Sequence, residues 1–190
     1  MKFLISSVLL FVRYDTPLFC FAEEKNVDAE KLLQVRTPVK YILAESTDVF
    51  FGLNSPCMTL EMVNSTPPYL VVLDYKDETH WKTLVYTAEV TSFTAQSSTK
   101  IRTIITFTAR ETEAVYDTES YEVTYPEELS CFVLSPTGAP STGCSWWKKL
   151  QNSHENHTAH CPVVPEGDSC NALYERCRTT TGEDQCLAWL

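Results

Sequence analysis

Three histidines, His154, His157 and His160, stand three positions apart near the end of the sequence. On a helix this spacing brings neighbouring imidazoles together, and imidazole nitrogens are common zinc ligands. The first and third side chains would nevertheless diverge around the helix, and the flanking residues are polar. Asn156, between them, begins an Asn-X-Thr glycan acceptor, which must be exposed. A solvated loop without a metal is therefore the preferred interpretation.

Carboxylate pairs, which acid–base catalysis could use, occur at Glu111 with Glu113 and at Glu119 with Glu122. Pairs at strand ends are usually solvated. No Gly-X-Ser-X-Gly motif supplies a serine nucleophile, and His80 is the one histidine outside the cluster above. The five glycines form no phosphate-binding loop. We therefore expect no enzymatic activity and no cofactor.

The start of the sequence has the layout of a secretory signal. Lys2 precedes an apolar stretch from Phe3 to Val12, and small side chains suited to signal peptidase stand at the junction after Ala22. Sequons at Asn64 and Asn156 agree with passage through the secretory pathway. We predict a signal peptide over 1–22 and a secreted, extracellular glycoprotein.

Residues 23–190 are long enough for one domain with its own core. No later apolar run approaches the length of a membrane-spanning helix. The formal net charge of −10 disfavours nucleic acid as a partner, because phosphate recognition needs a basic surface. The same charge favours solubility and attracts cations. We expect a monomer that neither spans a membrane nor binds nucleic acid.

Short segments rich in Val, Ile, Thr, Tyr and Phe, separated by turn-forming residues, predict about eight strands. They are Val39–Glu45, Met58–Val63, Tyr69–Tyr75, Lys82–Thr94, Ile101–Ala109, Ala114–Tyr125, Cys131–Leu134 and Cys144–Lys149. Short connections favour an antiparallel meander, and eight such strands close into a barrel that can hold one small ligand. A β-sandwich is the alternative. Helices are predicted at Asp28–Val35 and at Ser169–Arg178, the second of them packed outside the barrel.

Many aromatic and aliphatic side chains fall within these strands, and in a small closed barrel half of them must point inward. They either fill the interior or line a pocket. We predict a ligand cavity lined by Tyr41, Leu43, Phe51, Tyr69, Val71, Tyr86, Phe107, Phe132 and Trp146.

The segments Cys131-Phe132-Val133-Leu134, Gly143-Cys144-Ser145-Trp146-Trp147, Pro165 to Cys170 and Tyr174 to Cys177 resemble the C-terminal signature of the salivary lipocalins of hard ticks. The segment Val27 to Leu32 resembles the opening helix of that family, with Glu30 in place of its tryptophan. The likeness extends to the japanin-like members, which modulate host immune cells. The resemblance implies an all-β, eight-stranded lipocalin barrel that takes up a host mediator or lipid.

Seven cysteines follow the predicted signal, so at least one lacks an intramolecular partner if the others oxidise. Spacing alone does not give their pairing. The resemblance implies bridges among Cys57, Cys131, Cys161, Cys170, Cys177 and Cys186. It suggests that Cys57 pairs with Cys177 or Cys186, and that Cys131 pairs with Cys161 or Cys170.

Two positions depart from the family members that bind histamine or serotonin. Those members carry an acidic residue where this chain has Phe132, and a glutamate where it has Ser145. A buried ammonium group needs carboxylates to offset its desolvation. The departures therefore favour a hydrophobic ligand, such as a sterol, fatty acid or eicosanoid, whose removal would modulate host immunity.

Two alternatives remain open. The first is a biogenic-amine scavenger, for which Asp48, Asp74 or Glu89 could supply the buried charge. The second is an immunomodulator that contacts a host protein or immune-cell surface through its loops, with a filled barrel.

Overall fold

The protein is described from a computed structural model, which covers residues 29–94, 101–110, 114–126, 128–137, 143–151, 160–167 and 170–180. The predicted signal peptide, Asn156, Cys186 and two of the clustered histidines, His154 and His157, lie outside these residues.

Eight strands and two helices make up this part of the chain. The first helix is α1 (Glu30–Leu33), and the strands are β1 (Val39–Ser46), β2 (Met58–Met62), β3 (Tyr69–Asp77), β4 (His80–Thr94), β5 (Ile101–Ala109), β6 (Thr118–Thr124), β7 (Cys131–Pro136) and β8 (Ser145–Lys149), followed by α2 (Asn171–Thr180). Each strand pairs antiparallel with the next, and β8 pairs with β1 to close the barrel. The predicted fold class is confirmed.

The interior of the barrel follows from strict alternation along the strands. In β5, Ile105 and Phe107 are buried in the core, whereas Thr106 and Thr108 point outward. Hairpin register then places Phe107 beside Ala88 of β4, which is also buried. Alternating apolar residues thus give one continuous core inside the sheet.

The helix α1 covers one end of the barrel, which we call the closed end. Its Leu32 and Leu33 are buried against the core, and Gln34 directly after it donates a hydrogen bond of 3.1 Å to the hydroxyl of Tyr69. Tyr41 points to the same end and donates to the carbonyl of Leu129 over 3.3 Å. At the opposite, open end lie the connections β1–β2, β3–β4 and β5–β6.

The helix α2 packs outside the barrel, as predicted, over a small second cluster. Tyr174 of α2 stacks on Trp146 of β8 with ring centroids 5.9 Å apart. The neighbouring Trp147 faces the interior, where its indole N–H donates to Ser145 over 2.7 Å. Consecutive strand residues face opposite sides of a sheet, so only one of the two tryptophans can be inside. The assignment of Trp146 to the cavity was wrong.

Among the described residues, three disulfides tie the barrel to the C-terminal segment: Cys57–Cys161, Cys131–Cys170 and Cys144–Cys177. The second matches one of the two pairings predicted for Cys131. The prediction for Cys57 was wrong, and Cys144, left out of the predicted set, is bonded. Cys144 directly precedes β8 and lies beneath α2, so it is close enough to bond with Cys177. The resemblance had suggested Cys177 as a partner for Cys57 instead.

The strand β6 is shorter than predicted at its start. Its pairing begins at Thr118, while Val115 and Tyr116 are exposed and belong to the connection from β5. This connection passes over the β1–β2 loop at the open end, where both residues approach Gly52.

Candidate functional site

Four aromatic rings meet inside the barrel at its open end. Phe51 from the β1–β2 loop lies 5.3 Å from Tyr86, 5.2 Å from Phe107 and 5.4 Å from Tyr121, measured between ring centroids. Phe50 adds a stacked contact with Tyr121 at 5.3 Å. Edge-to-face and offset contacts at these distances are favourable beyond simple burial. We call Phe51, Tyr86, Phe107 and Tyr121 the aromatic box.

Three walls of the box come from adjacent strands. Tyr86 is on β4, Phe107 on β5 and Tyr121 on β6, and all three are inward positions in the register of the sheet. The fourth ring, that of Phe51, comes from a loop. Strand residues are held by their ladder hydrogen bonds, whereas a loop residue depends on its own turn for its position.

The turn that carries Phe51 is tight. Phe50 and Leu53 pair as an isolated bridge, and between them Phe51 and Gly52 both have positive φ angles, +54° and +67°. Two consecutive left-handed residues define a two-residue hairpin turn that normally selects Asn-Gly rather than Phe-Gly. A side chain at Gly52 would also lie 2.5 Å from the side chain of Val115. Phe51 therefore has an unfavourable left-handed backbone conformation, and its ring points into the barrel.

One carboxylate borders the box. Glu119 and Tyr121 are two residues apart on β6 and share its inner face, and Glu119 lies opposite Phe107 in the sheet register. Glu122, three residues further on, points outward and is hydrogen-bonded to Arg102. The pair Glu119 and Glu122 is therefore divided between the two faces of the sheet. The other pair noted in the sequence, Glu111 with Glu113, lies outside the described residues.

Burial controls the electrostatics of this end. Desolvation raises the pKa of Glu119, and a hydrogen bond from the Tyr121 hydroxyl lowers it in part. The pKa values of Tyr121 and Tyr86 are also raised, first by desolvation and then by the charge of Glu119. Within the described residues, Glu119 forms no salt bridge. A partly buried carboxyl group thus lies beside aromatic rings, and no basic side chain of the described residues pairs with it.

Two clefts flank the β1–β2 loop. The larger, of about 730 Å³, lies between the loop and the end of β1, and includes Leu43, Phe50, Leu53 and Met58 in its wall. The smaller, of about 400 Å³, runs along the start of β6 and reaches Glu119 and Tyr121. The smaller cleft therefore brings solvent to Glu119 and Tyr121, whereas the larger one is bounded by Phe50.

The predicted cavity residues fall into separate groups. Phe51, Tyr86 and Phe107 meet in the aromatic box. Tyr41 and Phe132 lie together toward the closed end, with ring centroids 4.9 Å apart, and Phe132 stacks on Trp147 at 6.0 Å. The remaining three are also buried in the core: Val71 lies beside Tyr86 in the sheet register, Leu43 lines the larger cleft at the open end, and Tyr69 lies at the closed end, where its hydroxyl accepts from Gln34.

The three carboxylates suggested from the sequence as amine partners are not in the barrel interior. Asp74 is buried, but on the outer face, where it pairs with Lys40 at 3.3 Å and accepts from Thr83 at 2.7 Å. Glu89 and Asp48 are exposed.

Sequence reasoning missed Glu119, Tyr121, Phe50 and Trp147. The alternation Glu119, Tyr121, Val123 along β6 was the available signal, since it places the acid on the same face as two buried side chains. Phe50 belongs to a loop, where no periodicity applies.

No group of three or more His, Cys, Asp or Glu residues in the described ranges is arranged to hold a metal ion. Nor is any helix of those ranges long and apolar enough to cross a membrane.

Comparison with known families decides what kind of barrel this is. The family model described as tick histamine binding protein matches residues 22–186, which is most of the sequence. The chain belongs to the tick histamine-binding protein family. No curated protein and no solved structure gave a match.

Membership of the tick histamine-binding protein family agrees with the closed eight-stranded barrel, the helix outside it and the three disulfides. The family and the fold are those of a ligand-binding lipocalin rather than of an enzyme.

Proposed function

We propose that this protein binds a small amine with an aromatic or otherwise planar body at the open end of the barrel. The observation that carries the proposal is Glu119, a partly buried carboxylate that borders the aromatic box and has no salt bridge among the described residues. The ammonium group of the ligand lies at Glu119, and its planar body lies among Tyr86, Phe107 and Tyr121.

Electrostatics supports this assignment. An ammonium group removed from water requires a nearby negative charge, and Glu119 supplies one where the dielectric is reduced. The faces of Tyr86 and Tyr121 add cation–π attraction. The positions that depart from amine-binding relatives, Phe132 and Ser145, are occupied here by a buried ring and a hydroxyl that accepts from Trp147. In this chain the carboxylate that pairs with the ammonium group is therefore Glu119 of β6, rather than a side chain at position 132 or 145.

A second candidate is the hydrophobic ligand that the sequence favours, a sterol, fatty acid or eicosanoid. It is supported by the apolar core that is continuous with the aromatic box, which includes Leu60, Met62, Val71, Leu73, Leu84, Ala88 and Ile105. Burial in such a layer contributes roughly 25 cal/mol for each square ångström of apolar surface removed from water. A ligand of this class would have to displace several of these side chains.

Either ligand gives the protein a role outside the cell. We propose that it is exported in saliva and modulates the host immune response by removing a mediator from host tissue. Disulfides tie strands and the C-terminal segment together, which suits a small domain in an oxidising, extracellular medium.

Direct binding experiments separate the candidates. Protein secreted from eukaryotic cells is titrated with histamine, serotonin and phenethylamine by calorimetry, and extracted with solvent for mass spectrometry of bound lipid. Binding of an amine at about 10 µM or tighter, without copurified lipid, is the expected result. If a lipid copurifies and no amine binds, the hydrophobic candidate replaces the first. If neither class binds more tightly than about 1 mM, the barrel is filled and function lies on the surface.

A further inference from the structure

The ring of Phe51 occupies the centre of the proposed binding site. It is fully buried and contacts each of the three strand-borne rings of the aromatic box, while Phe107 and Tyr121 lie 6.0 Å apart. The backbone N–H of Phe51 donates to the Tyr121 hydroxyl over 3.0 Å. The same hydroxyl is the hydrogen-bond partner of Glu119. One loop residue thus uses both the apolar and the polar contacts that a ligand would use.

We propose that Phe51 is a built-in competitor for the binding site and sets which ligands the barrel accepts. Resting on the proposed function, this inference adds that the ligand binds by displacing the Phe51 ring, together with its turn, from the aromatic box. A ligand must therefore present a planar apolar group that replaces this ring and a polar group that replaces the lost contact with Tyr121.

The loop is built to move as a unit. The bridge between Phe50 and Leu53 holds the turn together internally, so it can leave without losing those hydrogen bonds. The two clefts on either side of the loop provide space for the displacement.

A different role for the Phe51 ring predicts a different change in ligand affinity when the ring is removed. If its ring were a permanent fourth wall, a bound ligand would add to it, and removing the ring would weaken binding. If the ring competes, removing it strengthens binding, because the ligand no longer has to expel it. The sign of the affinity change therefore distinguishes a wall from a competitor.

The first test uses the wild-type protein and phenethylamine as the probe. Hydrogen–deuterium exchange of peptides covering residues 47–56 is compared with and without saturating probe. We expect exchange in this segment to become at least threefold faster when the probe is bound, although ligands usually slow exchange. Slower or unchanged exchange there overturns the inference.

The second test measures phenethylamine affinity in F51A and in L33A, where Leu33 is a buried side chain of α1 at the closed end. We expect at least a tenfold gain in F51A and no gain in L33A, which controls for loosened packing. Equal or weaker binding by F51A than by wild type overturns the inference alone. No binding by either protein overturns the proposed function and this inference with it. If F51A fails to fold, the exchange measurement decides.

Discussion

The backbone amide of Phe51 donates a hydrogen bond of 3.0 Å to the side-chain hydroxyl of Tyr121. Because Tyr121 is in turn hydrogen-bonded to Glu119, a loop, a strand and a partly buried carboxylate form one connected unit. A shift in the position of any one of these three groups therefore alters the hydrogen bonds that connect it to the others. We therefore expect the open end of the barrel to respond both to ligand and to pH.

The carboxylate of Glu119 is the first target for mutation. We expect E119Q to lower the affinity for phenethylamine about 10- to 100-fold, because a hydrogen bond to a charged group contributes about 1.5–3 kcal/mol. The shape of the site is kept, so an uncharged probe such as benzyl alcohol should bind E119Q and wild type equally. Calorimetry measures both affinities.

The matched control is E122Q, which removes the same charge from the outer face of the same strand. Glu122 is hydrogen-bonded to Arg102 and has no contact with the aromatic box. We expect its effect on amine affinity to be less than about twofold, since exposed charges contribute little. Equal losses in E119Q and E122Q would show that overall negative charge, rather than the site, attracts the amine.

The pH dependence of binding follows from the raised pKa of Glu119. An amine binds the ionised carboxylate, so its affinity should fall as pH drops through the raised pKa, whereas benzyl alcohol should show no such change. Titrations between about pH 8 and pH 4 test this. A flat amine profile that matches that of E119Q would remove Glu119 from the site.

The raised pKa of Glu119 also makes the stability of the fold depend on pH, in the direction opposite to that of the amine affinity. The pKa of Glu119 is higher in the folded protein than its ordinary value of 4.5, so the folded state holds the proton more tightly. Its contribution to stability is complete below the ordinary value and is lost as pH rises through the raised value. E119Q should therefore unfold at a higher denaturant concentration than wild type at neutral pH.

Periodicity was sufficient for the barrel but not for its open end. Alternation in β5 places Ile105 and Phe107 inside, and strand boundaries agree to within a few residues, because the sheet faces solvent on one side and the core on the other. Phe51 was predicted to line the cavity, yet the sequence could not indicate that its ring fills the site. That depends on a left-handed turn beside Gly52, which no strand pattern encodes.

The sequence also could not show which member of a chemically similar pair points into the barrel. Trp146 and Trp147 have the same chemistry, and so do Glu119 and Glu122, but in each pair one member points inward and the other outward. The register of β8 and β6 decides which is which, and it is fixed by partners far away in sequence. The pairing predicted for Cys57 was wrong for the same reason, because Cys144 and Cys177 meet only once α2 has docked.

The disulfide Cys144–Cys177 holds α2 against the barrel. Removing it with C144S and C177S together should lower the free energy of unfolding by about 3–4 kcal/mol, given its loop of 33 residues. Chemical denaturation measures the loss. Fragment mapping without reduction should recover Cys57 linked to Cys161 and Cys144 linked to Cys177. Recovery of Cys57 linked to Cys177 would contradict the structure.

Asn64, predicted from its sequon to carry a glycan, also has a structural role in the β2–β3 connection. Its amide nitrogen donates to the carbonyls of Thr66 at 2.7 Å and Pro68 at 3.0 Å, and its oxygen accepts from the amide of Leu70 at 2.6 Å. A glycan on this nitrogen would remove one of its two hydrogens. We therefore expect Asn64 to be glycosylated in only a fraction of molecules, which intact mass spectrometry measures.

Two substitutions separate the glycan from the hydrogen bonds. N64A removes both and should destabilise the protein by about 1–3 kcal/mol, because backbone groups of the turn lose their partner. T66A destroys the sequon but keeps the Asn64 amide and the backbone carbonyl that it contacts, so its stability should match that of wild type or exceed it. If T66A were as unstable as N64A, the glycan rather than the amide would stabilise this turn.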